Sequence, residues 1–190
     1  MYDNFYDLVI YFMFYSFSGW LLEVAYAWYK ERRFINRGFL LGPLCPVYGF
    51  GILLILLISS KFKSNLPLAN IVSIMLLTTI LEYMTGYILE TLFNVKAWDY
   101  SNEFCNLKGR ICLKFSLAWG LLGYFVIYKL HPIVLQHVKI ADEGMKVFMS
   151  HILLGGLLAD AAIVILSKTG FMKHIKSRVR ISIPLHIFKT

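Results

Sequence analysis

Ser18-Gly19-Trp20-Leu21-Leu22-Glu23 returns in this chain as Thr85-Gly86-Tyr87-Ile88-Leu89-Glu90. Each copy sets a carboxylate into an apolar run, where an ionised side chain is costly. A second pair follows each copy: Gly38 with Tyr48-Gly49 returns as Gly109 with Trp119-Gly120, at the same internal spacing. A costly feature that recurs points to a site between two halves of a membrane protein built from internal repeats.

The sequence around these copies has the make-up of a membrane domain. Of its 190 residues, 58% are hydrophobic and only 16% charged, with a mean hydropathy of +0.65; a soluble domain carries about 25% charged residues. Apolar runs of about 20 residues, enough to cross a bilayer, recur along the chain. Five spans are expected, at about 8–29, 39–58, 70–93, 111–130 and 147–166. The predicted fold is all-α: a polytopic transmembrane helix bundle with two parallel two-helix repeats, one over about 8–58 and one over about 70–130. The transmembrane domain occupies 1–167, and 168–190 form a basic cytoplasmic tail.

Charge sets the expected orientation. With the N-terminus outside, the inner segments hold fourteen lysines and arginines and the outer ones five, as the positive-inside bias requires. The formal net charge of +8 is then met by anionic membrane lipids, with no need of nucleic acid. The tail reads first as an orientation signal on the membrane surface and second as a dock for a partner protein. Met1-Tyr2-Asp3-Asn4 lacks the basic start of a signal peptide, so the first span is expected to be retained. Cys45, Cys105 and Cys112 make no even disulfide framework. Reduced thiols are expected, and the three lack the pair spacing and fourth ligand of a zinc site.

This topology gathers the intramembrane acids Glu23, Glu82, Glu90 and Asp160 at mid-membrane or on the cytoplasmic side. Glu82, Gly86 and Glu90 share one helix face, with Glu82 roughly 12 Å deeper than Glu90. Two readings are open. Each acid pairs with an arginine or caps a broken helix, or some line a cavity that binds a cation, a proton or a polar ligand. Arg37 and Arg110 flank the matching glycines and are the expected partners of Glu23 and Glu90. For Asp160, the neighbouring Gly155-Gly156 and Ala159 suggest tight helix packing. Gly38 to Gly51 contains two prolines and four glycines, so the second span is expected to be kinked or half-unwound, either lining a ligand or merely packing. Trp98-Asp99-Tyr100-Ser101 either closes over a ligand or anchors its loop at the headgroups.

These residues, with Asn36, Tyr83, Asn106 and the Gly109–Leu113 stretch, resemble the putative ABC-transporter type IV (CmpB-like) family of bacterial permeases over roughly Phe12 to Pro132. The resemblance implies a small multi-pass protein of the bacterial plasma membrane and suggests transport. It names no substrate and no catalytic residue. The sequence has no Walker A loop, so a permease of this kind would take its ATPase subunit from another chain. No cofactor is expected.

The first functional reading is a transport subunit, expected to be a homo-oligomer, with a polar substrate or ion site of Glu23, Arg37, Glu82, Glu90, Arg110, Trp98, Asp99 and Tyr100. The second is a membrane-embedded enzyme acting on a lipid-linked substrate, although no HExxH or GxSxG motif is present. The third is an accessory or sensor protein that moves nothing.

Overall fold

The computed structural model describes residues 4–59 and 64–168; the tail beyond 168 and Lys61 and Lys63 lie outside the described residues. Helix α1 is Phe5–Glu31, α2 Pro46–Ser59, α3 Pro67–Phe93 and α4 Leu113–Phe125. A π turn, Val126–Leu130, carries α4 into α5, His131–Ile140, and α6 is Glu143–Lys168. Counting α4 through α5 as one rod, Leu113–Ile140, four helices among the described residues are long and apolar enough to cross a membrane. The result is an all-helical membrane bundle.

Helix α2 departs from the expected span of 39–58. It begins only at Pro46 and has 14 residues, about 21 Å at the α-helical rise. Gly38, Gly42, Pro43 and Pro46 explain the late start: proline interrupts the helical hydrogen-bond ladder and glycine favours an unwound chain. The segment from Gly38 to Cys45 is irregular backbone leading into that short helix.

The fourth span runs ten residues beyond its expected end at 130, to Ile140. Pro132 would break a regular α-helix here, because its ring collides with the carbonyl four residues earlier. The π turn removes the conflict. The His131 N–H reaches back to the Val126 carbonyl, a five-residue step, so the wider turn makes room at the proline.

Two hairpins, α1 with α2 and α3 with α4, form the body of the fold, and α2 packs on α3 between them. Tyr11, Tyr15, Ile52, Ile55, Ile74 and Ile127 belong to the main core cluster. Helix α6 leans on α1, where Leu153 and Leu157 meet Val9, Phe12 and Met13. Large apolar side chains remain exposed on every helix, among them Phe17, Leu57, Ile80, Leu121, Ile133 and Phe148. Such a surface suits lipid rather than water. All three cysteines are free.

Candidate functional site

Glycines set how closely each hairpin closes. In the first, a methyl at Gly19 would overlap the Tyr48 ring, and one at Gly49 would strike Phe12 and the Ser16 hydroxyl. In the second, Gly120 meets Met75 and the Ile71 carbonyl. Matching the copies Gly19 and Gly86 would place the partners of Gly120 near 79 and 83; they lie eight residues earlier, two turns or roughly 12 Å along α3. The second hairpin is therefore shifted in register against the first. Two features of the chain produce the shift. Helix α4 begins six residues before Trp119, whereas α2 begins two before Tyr48, and the second connection between matching glycines is four residues longer.

The shift hands the two aromatic residues different acids. The Tyr48 hydroxyl donates to Glu23 Oε1 at 2.6 Å. The Trp119 indole instead donates to Glu82 Oε1 at 3.3 Å, and the Tyr100 hydroxyl donates to the same oxygen at 3.0 Å. The Tyr48 and Trp119 rings meet edge to face, 5.6 Å between centroids. Glu23 and Glu82 thus sit on either side of one aromatic pair. Burial holds the Tyr100 phenol well above its ordinary range, so Tyr100 acts as a neutral donor. Its ring stacks on Phe115 at 4.7 Å.

The space that the shift opens beside Gly86 is filled from the connection between α3 and α4. The Trp98 ring and the Arg110 stem both lie 3.4 Å from where a Gly86 methyl would be. Arg110 places Nε 2.9 Å and Nη2 2.5 Å from Glu90 Oε2 and donates to the Tyr83 hydroxyl at 3.2 Å. Its guanidinium lies over the Tyr83 and Tyr87 rings. The Trp98 indole fixes the arginine from behind by donating to its carbonyl at 2.7 Å. Arg110 therefore takes the expected acid. Arg37 does not: it pairs with Glu31 at 2.7 Å and lies over Tyr26, which leaves Glu23 with a phenol.

The eight candidate residues fall into separate groups. Glu23, Glu82 and Tyr100 share the aromatic pair, Glu90, Arg110 and Trp98 form the ion-pair cluster, and Arg37 stands apart. Asp99 is exposed and holds its own loop. It pairs with Lys96 at 2.8 Å and accepts from the Ser101 N–H and hydroxyl. Lys96, followed by Ser101, holds the Asp99 carboxyl well below the usual carboxylate range.

Several of the roles in and around the site had not been assigned from the sequence. Tyr48 and Trp119 carry the two acids, and their matching positions in the two motif copies were the available signal. Asn36 and Asn106 each staple a connection. The first accepts from Trp20 Nε1 and the Gly38 N–H; the second accepts from the Gly109 N–H and donates to the Ser101 and Glu103 carbonyls. Asp160 caps the unwound segment, accepting the Leu41 N–H at 3.0 Å and the Gly42 N–H at 2.8 Å. The tight packing expected at Gly155 and Gly156 is absent within the described residues, since nothing lies within 4 Å of a methyl at either. Lys146, 3% exposed, joins α6 to α1 through Asp7 at 2.9 Å and also meets Glu143 at 2.6 Å.

Among the described residues no group of three His, Cys, Asp or Glu side chains is placed to hold a metal. Comparison with known proteins extends the resemblance beyond 132 and through most of α6. A family model described as Putative ABC-transporter type IV matches residues 10–165. No curated protein matches the chain, and no solved structure does. With most of the sequence, including both motif copies, inside the match, the chain belongs to the Putative ABC-transporter type IV family.

Proposed function

We propose that this protein is the membrane-spanning permease subunit of a transporter and that its substrate or ion site is the polar cluster of Glu82, Glu23, Tyr100, Tyr48 and Trp119. One observation carries the reading. Glu82 lies in the middle of an apolar helix, is 8% exposed, and has one carboxyl oxygen with no hydrogen-bond partner. A purely structural acid is expected to hold a cation, as Glu90 holds Arg110, and an unsatisfied buried polar atom costs about 1–3 kcal/mol. Intramembrane acids left in this state belong by default to ion or substrate pathways.

The finer parts of the reading follow from charge and family. The distribution of basic residues supports an N-terminus outside and a C-terminus in the cytoplasm of a bacterial plasma membrane. Five helices make a narrow pathway for one protomer, which supports a homo-oligomer, with the two hairpins as repeated halves around the site. Nucleotide hydrolysis falls to a separate ATPase subunit, since this sequence carries no Walker A loop.

Purification from native membrane in mild detergent, with mass spectrometry of co-purifying proteins and solutes, tests the reading. An ATPase subunit in fixed ratio is the expected result. A different membrane protein in fixed ratio, retained when Glu23 and Glu82 are neutralised, would overturn it in favour of an accessory role.

A further inference from the structure

The surroundings of the Glu82 carboxyl are unequal. Both donors that reach it, the Tyr100 hydroxyl and the Trp119 indole, converge on Oε1. Oε2 is buried and receives no donor. A carboxylate shares its charge between two oxygens, so an ionised Glu82 would hold half of it on a buried atom that no protein donor reaches. A carboxylic acid is itself unequal. Its carbonyl oxygen has two lone pairs for two donors, and its hydroxyl oxygen carries the proton. Oε1 has the surroundings of the first; Oε2 has no protein partner of either kind, and a neutral hydroxyl there costs less than half a negative charge.

The neighbours support the same assignment. Glu23 faces the group from α1 across the Tyr48–Trp119 pair, with Tyr48 from α2 and Trp119 from α4. Tyr100 faces it from the connection between α3 and α4, with Cys112 close to Tyr100. Among the described residues no lysine, arginine or histidine reaches either acid. Glu90, two turns along the same face of α3, has Arg110 at hydrogen-bond distance. A second acid in place of a cation favours the neutral form of at least one of the two.

We propose that Glu82 is held as the neutral carboxylic acid and that Glu82 with Glu23 forms a proton-binding site. Binding places the proton on Glu82 Oε2; release gives it to water and leaves a carboxylate whose Oε2 then needs a donor. Tyr100 is the donor carried on a connection rather than a helix, so the 94–112 connection is the part that answers release. That the proton site lies on a transport pathway rests on the permease reading, whereas protonation of Glu82 does not.

Infrared spectroscopy of the full chain in lipid nanodiscs, titrated through neutral pH, tests the proposal. A carboxylic-acid C=O band at neutral pH is expected, absent in Glu82→Gln and kept in Glu90→Gln. Tyr100→Phe removes one donor from the carbonyl and is expected to shift the band to higher frequency, which decides the matter if Glu82→Gln does not fold. A missing band, a band unchanged in Glu82→Gln, or an unshifted band in Tyr100→Phe would overturn the proposal. Loss of the band on adding sodium or potassium at fixed pH would also overturn it, making the ligand a metal cation. A band that passes these tests in a protein lacking an ATPase partner would keep the proton site and remove the permease reading.

Discussion

The two hairpins start from one motif and end with opposite dependencies. In the first, the helix glycine is critical and the loop glycine is not. Gly19 is pressed on the Tyr48 ring, while a methyl at Gly38 would come no closer than 3.1 Å to its surroundings. In the second the order reverses. A methyl at Gly86 meets only ordinary contacts at 3.4 Å, whereas Gly109 has φ +68° and a methyl there would come within 2.6 Å of the Ser101 hydroxyl. The acids differ in parallel: Glu23 keeps a neutral phenol and Glu90 an arginine. A duplicated sequence motif therefore does not imply a duplicated environment. The register between the helices decides which side chain fills the space above each glycine.

The strongest test of this contrast is the helix-glycine pair. Gly19→Ala is expected to lower stability by about 3 kcal/mol, because Tyr48 overlaps from its Cβ outward and α2 must move. Gly86→Ala should stay within about 1 kcal/mol of the parent. Thermal unfolding in detergent compares them, and equal losses would break the comparison. Next come the loop glycines. Gly109→Ala forces a side chain into left-handed backbone and should cost about 2 kcal/mol, while Gly38→Ala should cost clearly less. Limited proteolysis of the two connections would register the difference.

A smaller effect is expected from the arginines. Arg110→Gln leaves Glu90 unpaired where the side chains are only 12% and 25% exposed, and Glu90→Gln in the same protein should restore much of the lost thermal stability. Arg37→Gln faces Glu31 at 31% exposure and should cost less, with no comparable rescue. The smallest effect concerns the second connection alone. Lys96 and Ser101 lower the folded-state pKa of Asp99. The stabilisation that Asp99 provides is therefore present above its unfolded pKa of about 3.9 and lost as pH falls through the folded value. Hydrogen exchange across 94–112 should accelerate in Asp99→Asn at neutral pH, and the difference from the parent should shrink under strong acid.

Much of the fold was legible because a bilayer leaves few options. Apolar runs marked all five helical regions, and Gly42, Pro43 and Pro46 marked where the second would unwind. The fourth span was expected to end at 130, ten residues short, since hydropathy cannot register a π turn that absorbs a proline. At the site, the acids were legible from their cost, but their partners were not. The matching glycines pointed to an Arg37–Glu23 pair, yet the four extra residues of the second connection were the readable sign that the halves would not superpose. Asp7 with Lys146 was missed because both stand near helix ends, where a charge in the sequence looks solvated.

Asp160 has a consequence for how the protein is made. The backbone N–H groups of Leu41 and Gly42 wait for a carboxylate that leaves the ribosome 118 residues after Gly42. Until α6 arrives, the unwound entry to α2 has two donors with nothing to hold. The first hairpin, though synthesised first, is finished last, and a chain cut short before α6 would present the insertion machinery with an open end in its oldest part.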